Sequence, residues 1–211
     1  MQKRNLTKQA ICTAAIQLIE SDGLEGLSMR KIASKLKVEA ASLYNHIVNK
    51  SELFDNIQEH LYSQIPVNFS NKNWKDHLIE LAQNTRLGLL QVPQVVLLFA
   101  TRPTITSSSL KQAESTLNIL IKAGFKPSEV LSIYRNLHVF VLGHVLAEVG
   151  QVPGEQDNSH EPSLEKININ NYPVLKKSAS YQSNINFEKG FKLGLQCMIN
   201  GLEKLLTRKT K

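Results

Sequence analysis

Apolar residues recur at three- and four-residue intervals along nearly the whole chain, and strand-like alternation is almost absent, which predicts an all-α fold. The first amphipathic stretch places Ala10, Ile11, Ala14, Ala15, Leu18 and Ile19 on one helical face. After the turn residues "SDGLEG", Ser28 is positioned to cap a short helix, "MRKIASKL", that buries Ile32, Ala33 and Leu36. "KVE" breaks it. A third short helix, about residues 40–47, buries Leu43 and Ile47, with Val38 packing at its entrance. Asn49 and Glu52 have capping-box spacing and start a fourth helix with the stripe Leu53, Phe54, Ile57 and Leu61, which Pro66 ends.

Past the polar connector "PVNFSNKN" the predicted helices are longer and more apolar. Residues 74–90 form one, with Trp74, Leu78, Leu81, Ala82 and Leu89 inward, and Pro93 stops it. The apolar piece "VVLLFA" runs into "TRP", and a helix over 107–123 is closed by Gly124. Pro127 opens a helix that reaches Val149, about 33 Å at 1.5 Å per residue. Residues 151–171, with few apolar side chains and two prolines, read as a mobile loop. A short helix over 174–181 and a final one over 187–206 complete the chain. The last helix and the 127–149 helix carry more apolar surface than one subunit can cover. Together they predict a two-fold, four-helix homodimer interface containing Val130, Leu146, Phe191, Leu195, Met198 and Leu202. The expected organisation is an N-terminal three-helix bundle with a helix-turn-helix (1–48), a connecting helix (49–66) and a larger C-terminal helical domain that dimerises (67–211).

Charge adds a partner to this picture. The chain has 25 Lys plus Arg against 18 Asp plus Glu, a net +7. Residues 1–50 hold eight of the cations (Lys3, Arg4, Lys8, Arg30, Lys31, Lys35, Lys37, Lys50) and four acids (Glu20, Asp22, Glu25, Glu39), which favours a polyanion. The two cysteines, Cys12 and Cys197, lie in apolar helical patterns and read as reduced core residues of a cytoplasmic protein. "AICTAAIQLI" is interrupted by polar residues and lacks a cleavage site, so it is not a signal peptide, and no run of roughly 18 apolar residues predicts a membrane span. No metal-ligand spacing, nucleophile–base pair or carboxylate dyad is evident, so neither metal nor cofactor is expected and an enzyme acting on a hydrophobic small molecule is the disfavoured reading.

Two short helices with a tight break, inside a basic segment, fit a helix-turn-helix whose second helix enters the major groove of double-stranded DNA. The buried set leaves Ala40, Ala41, Ser42, Tyr44, Asn45 and His46 toward the open face. Small residues permit close approach and can touch a thymine methyl, while Ser, Asn and Tyr offer hydrogen bonds to base edges or phosphates. An ordinary three-helix bundle with a polar solvent face has the same pattern.

The stretch "GLEGLSMRKIASKLKVEAASLYNHIVNKSELFDNI" resembles the DNA-binding region of the tetracycline-repressor (TetR) family of bacterial regulators. "LFATRP", "AGFKPSEVLSIYRNLHVFVLGHVL" and "GLQCMINGLEKLL" are similar to the ligand-binding and dimerisation domain of the tetracycline repressors themselves. The resemblance implies base reading by Arg30, beside Ser28 and Met29 at the start of the second helix, and by Ala40 to Ser42 of the third. It implies phosphate or sugar contacts from Tyr44 and His46, and a phosphate contact from Lys50 at the next helix start. Lys37 stands where the family usually has glycine, so a left-handed backbone there carries strain. Ala40, Ala41 and Asn45 also depart from the tetracycline repressors, which implies a different operator.

The same resemblance places Thr101, Arg102 and Pro103 at the border of the drug pocket. An Arg in that turn can orient a ligand, or it can instead cap a helix or pair with a surface acid. Tetracycline repressors bind the drug with magnesium through a histidine and a glutamate; here those positions are Leu98 and Ala147, which carry no lone pair for a hard cation. The expected remainder is an apolar cavity lined by Leu78, Leu81, Thr85, Leu98, Leu117, Tyr134, Leu137, His138 and Val141. Of these, His138, like His144, reads more naturally as a satisfied core residue than as a ligand. The resulting expectation is a dimeric repressor released from a palindromic operator by an unknown small-molecule effector other than magnesium-tetracycline. Alternatives are a corepressor-dependent regulator, an activator of the same fold, or a non-specific architectural protein.

Overall fold

The computed structural model describes residues 6–67, 73–150, 168–179 and 186–207. Among them there is no strand, and ten α-helices are joined by turns and two 3₁₀ segments. They divide into two compact units, Met1–Val145 and Leu146–Lys211.

The first helices are set by their caps. Thr7 accepts from the Ala10 N–H at 3.1 Å and starts α1 (Lys8–Asp22), which ends at Gly23 with φ 73°. Ser28 accepts from the Lys31 N–H and starts α2 (Met29–Leu36), and an Asp22–Lys31 ion pair ties the two helices together. Ile11, Ala15, Ile19, Leu27, Ile32 and Ala33 are buried, whereas Leu36 and Val38 are only half-buried. The expected strain at the following turn is present. Lys37 is the non-glycine residue at positive φ (57°, ψ 45°), and its N–H closes α2 on the Ala33 and Ser34 carbonyls.

The third helix is shorter than its pattern suggests: α3 is Ala40–Leu43. Tyr44 and His46 donate to the Ala41 and Leu43 carbonyls, an i→i−3 pattern that tightens the chain into a turn. That turn delivers Asn49, whose side chain accepts from the Glu52 N–H at 2.9 Å and starts α4 (Lys50–Gln64). The box is displaced by one residue, because the Glu52 carboxylate takes the Val48 N–H at 2.6 Å and also pairs with Lys8 of α1 at 2.9 Å. Those two hydrogen bonds hold the Glu52 carboxyl below its usual range. On α4, Leu53 and Ile57 are buried as expected, but Gln58 and Tyr62 take the interior places assigned to Phe54 and Leu61, which are half-buried.

Asn73 caps α5 (Trp74–Leu90), whose expected inward residues are all buried, together with His77, Thr85 and Arg86. A 3₁₀ turn at Pro93–Val95 packs on α1 and leads into α6 (Val96–Thr101). Thr106 and Ser109 cap α7 (Ser107–Lys122) reciprocally, and Gly124 (φ 102°) turns the chain into α8 (Pro127–Val149). Contrary to the sequence expectation, α8 is long and apolar enough to cross a membrane by length and composition. Its apolar residues are nonetheless divided: Val130, Ile133, Leu137, Val141 and Val145 are buried in the fold, and Leu131, Val139 and Leu146 are exposed.

In the second unit, a 3₁₀ turn at Ile169–Asn171 replaces the end of the expected loop; residues 151–167 lie outside the described set. The helix α9 is Pro173–Ala179, with the remainder of its expected span undescribed, and α10 is Phe187–Thr207. Phe191, Leu195 and Ile199 form a buried stripe at four-residue spacing. Cys12 is buried, and that burial pushes its thiol up to about 11, but Cys197 is exposed because it lies off the Phe191–Ile199 stripe.

Two substitutions test this local account. Lys37→Gly removes a left-handed L-residue at a cost of about 1–2 kcal/mol and restores chain freedom worth somewhat less, so its thermal unfolding midpoint rises. Asn49→Ala deletes the α4 cap and lowers unfolding free energy in urea by about 1 kcal/mol.

Candidate nucleic-acid interface and effector site

The groove-reading candidates lie around two helix starts and one turn. Ser28 and Arg30 are exposed and Met29 half-buried at the start of α2; Ala41, Tyr44 and Asn45 are exposed, and Ala40, Ser42 and His46 half-buried, across α3 and its turn. Tyr44 leaves 53 % of its surface accessible, an amphipathic ring on an otherwise small-residue face. The Lys50 ammonium reaches back to the Leu27 carbonyl at 3.1 Å and lies 5.5 Å from the Phe54 ring, so the starts of α2 and α4 are neighbours. Two helix N-termini side by side, with an ammonium between them, favour phosphate oxygens. Val48, 75 % exposed in the turn before α4, belongs to this corner and was missed from sequence. A β-branched residue one place after buried Ile47 gives no sign that it faces outward. An open groove of about 670 Å³ along α1 and the end of α2, lined by Thr13, Gln17 and Lys35 among others, includes none of the residues read as DNA or effector contacts.

The candidate effector residues are mostly in the core. Leu78, Leu81, Thr85, Leu98, Leu137 and Val141 are buried, while Leu117, Tyr134 and His138 are half-buried. The "TRP" turn does not join them. Thr101 and Pro103 are exposed, and the Thr101 hydroxyl donates to the Leu97 carbonyl at 2.8 Å. Arg102 follows the second of its two readings: its guanidinium donates to Asp55 at 2.9 Å and to Ser51 at 3.0 Å, over the Phe54 ring. The reason is the half-turn after α6, which aims residue 102 at α4.

Two more links reinforce that contact. Gln58 donates to the Thr104 hydroxyl at 3.0 Å, and Glu59 accepts from both the backbone N–H and the hydroxyl of Ser108, at 2.9 and 2.7 Å. Burial pushes the Glu59 carboxyl up, but the two Ser108 hydrogen bonds outweigh it and leave the group below its usual range. The helix that carries the groove-reading head is therefore clasped to the α6–α7 corner at three successive points.

Behind the clasp lies an aromatic cluster. Tyr62 of α4 meets Phe99 of α6 at 5.9 Å between centroids and faces His138 of α8 at 6.5 Å with planes 9° apart, and Tyr134 lies 4.3 Å from His138. The His138 Nδ1 sits 3.0 Å from the Tyr134 carbonyl, which can only accept, so that nitrogen carries the proton. Burial lowers the imidazole pKa, and the carbonyl contact raises it by less. Burial also pushes the Tyr62 phenol well up and that of Tyr134 to about 12, so both keep their protons. Tyr62, Phe99 and Gln58 escaped the sequence reading; the i, i+4 spacing of Gln58 and Tyr62 beside Ile57 was the available signal.

Of the residues assigned to a dimer interface, Val130, Phe191 and Leu195 are already buried within the chain, because each sits on the inward stripe of its helix. Leu146 is 37 % exposed, and Met198 and Leu202 are half-buried. Leu193 (67 %) and Leu205 (44 %) are more available on α10.

Comparison with known proteins agrees with this arrangement. Residues 11–57 match the family described as "Bacterial regulatory proteins, tetR family", and residues 68–206 match the "Tetracyclin repressor-like, C-terminal domain". The chain is 31% identical over 208 residues to the class E tetracycline repressor protein of Escherichia coli, covering 97% of this chain and 94% of that protein. Its structure is similar to ActR of Streptomyces coelicolor in complex with actinorhodin (TM-score 0.79, 24% identity, 94% of this chain and 96% of that one). It is also similar to a TetR variant of Acinetobacter baumannii in complex with minocycline (TM-score 0.72, 25% identity, 96% and 99%). These relatives are transcription regulators rather than enzymes, and with both family regions matched the chain itself belongs to the TetR family of DNA-binding transcriptional regulators.

Proposed function

We propose that the protein is a dimeric cytoplasmic repressor whose grip on a palindromic operator is released by a small-molecule effector other than magnesium-tetracycline. The observation that carries this reading is the three-point clasp between α4 and the α6–α7 corner, through Arg102–Asp55, Thr104–Gln58 and Ser108–Glu59. The start of α4 bears Lys50 beside the groove-reading face, and its inward face bears Tyr62 in the aromatic core. An effector that rearranges the core therefore moves the reading head, provided it binds the two head positions with different affinity.

In this reading residues 1–48 are the head, 49–66 the connecting helix and 67–211 the effector and dimerisation domain. Ser28, Met29, Arg30, Ala40, Ala41, Ser42, Tyr44, Asn45, His46 and Lys50 meet DNA. The partner copy covers the second apolar face of α8, Leu131, Val139 and Leu146, together with Leu193, Met198, Leu202 and Leu205 of α10. Two heads about 34–36 Å apart then meet successive major grooves on one side of a duplex. Relatives bind actinorhodin and minocycline, which supports a polycyclic effector for this chain. The magnesium form of tetracycline is disfavoured because Leu98 and Ala147 supply no ligand atom at the two positions that hold the ion in tetracycline repressors.

Gel-shift titration against a palindrome beside the protein's own gene should show preference over random DNA by roughly a thousandfold or more. Arg30→Ala should lose about 1–3 kcal/mol of operator binding and relax the base preference at the position it reads. Equal competition by random DNA would instead identify an architectural protein, and tighter binding on effector addition a corepressor-dependent regulator. In a thermal-shift assay, tetracycline should stabilise the protein equally with and without magnesium; stabilisation that needs the ion would return the effector to the magnesium-drug class.

A further inference from the structure

We infer that the core between α4, α5, α7 and α8 is a binding site for an uncharged planar aromatic molecule carrying several hydroxyl donors, a polyphenol. The inference rests on the effector-released reading and names the chemical class of that effector.

Around Gln58, Gln112 and His138 the orphaned groups are acceptors, while the orphaned donors Asn56 Nδ2 and Arg102 Nε lie by Glu52 and Asp55. Gln58 is fully buried and gives its amide N–H to Thr104, which leaves its Oε1 without a donor. Gln112 of α7 is also buried, and its Oε1 is likewise unpartnered. Nδ1–H of His138 is directed at the Tyr134 carbonyl, so the sealed Nε2 is a lone pair with nothing to accept from. Thr85, 4 % exposed, adds an unpartnered hydroxyl. Three orphaned acceptors need donors and the hydroxyl a partner of either kind, and a native fold rarely leaves such groups unmet.

These groups share a neighbourhood. Gln58 and Tyr62 are one turn apart on α4, and Tyr62 faces His138. Gln112 is one turn beyond Ser108, which holds Glu59 next to Gln58, and one turn before Thr116, which bonds His77 at 2.9 Å. Thr85 continues the His77–Leu81 face of α5.

Shape and charge then select the ligand. The Tyr62 and His138 rings are nearly parallel with centroids 6.5 Å apart, an offset pair whose flat faces suit a planar aromatic neighbour. An anion would add acceptors to a site already short of donors. An ammonium would be buried with no carboxylate among these orphaned groups, an uncompensated charge. A neutral aromatic ring with phenolic hydroxyls meets both demands.

The test uses the full-length protein with emodin, a trihydroxyanthraquinone, its trimethyl ether, and anthraquinone-2-sulfonate. Binding is read by quenching of Trp74, the single tryptophan. Emodin should bind and the ether at least about tenfold less tightly, with the sulfonate failing to compete. Gln112→Leu and Thr85→Val remove orphaned groups while keeping volume, so each should leave the unliganded melting temperature unchanged or higher and weaken emodin about tenfold. No emodin binding, equal binding of the ether, or variants that melt lower yet bind emodin normally would overturn the inference. Emodin bound without loss of the operator shift would leave this site standing and defeat the effector-release reading; operator release by an effector of another class, with emodin silent, would do the reverse.

Discussion

A row of carboxylates on α4 holds the reading head, the connecting helix and the core in one arrangement. Glu52 gathers the Val48 N–H and the Lys8 ammonium, Asp55 receives Arg102, and Glu59 receives Ser108. Their spacing of three and then four residues puts them along one side of the helix. Exposed ion pairs of this kind contribute little to stability, and their value here is geometric. They fix where α4 starts, which turn precedes it, and which corner of the neighbouring helices it follows.

The flank of the helix beside that row gives its geometry something to report. Leu53 and Ile57 anchor α4, but Gln58 and Tyr62 carry polar chemistry into the interior, where an apolar residue would pack with less difficulty. Gln58 lies three residues after Asp55 and one before Glu59, so the carboxylate row and the buried, orphaned amide oxygen share one side of α4. On α5, His77 is buried too, and its Nε2 pairs with the Thr116 hydroxyl at 2.9 Å.

Local signals were the most readable part of the chain. Ser28 and Asn49 cap their helices, α5 and α8 have their expected bounds, and Lys37 occupies the left-handed position that glycine usually fills. Each depends on a few adjacent residues, so pattern suffices. The exposure of Ala41, Tyr44 and Asn45 was legible for the same reason, these being the small and polar remainder of a short, well-bounded segment. What was hidden depends on tertiary direction. Arg102 has two satisfactory roles until the position of Asp55 is known. Gln58 reads as a surface residue until α7 and the Thr104 turn close over it. Val130, Phe191 and Leu195 look like an interface until each is found on the inward stripe of its helix, leaving Leu131, Val139 and Leu193 outside.

In the proposed effector-released reading, a signal in the core has to reach DNA through differential affinity for two positions of α4. A ligand that fits two states equally shifts nothing, however tightly it binds, and moving a population from 1:99 to 99:1 requires about 10⁴-fold preference. Apolar contacts alone deform gradually and discriminate poorly between such states. Directional hydrogen bonds do better, since a donor aligned with the Gln58 amide oxygen in one position of α4 is misaligned after a shift of an ångström or two. Gln58 also holds Thr104 through its amide N–H. A ligand drawing on the oxygen therefore acts on the same side chain that ties α4 to the α6–α7 corner, and through Asp55 and Glu59 on the helix that begins at the DNA-reading turn.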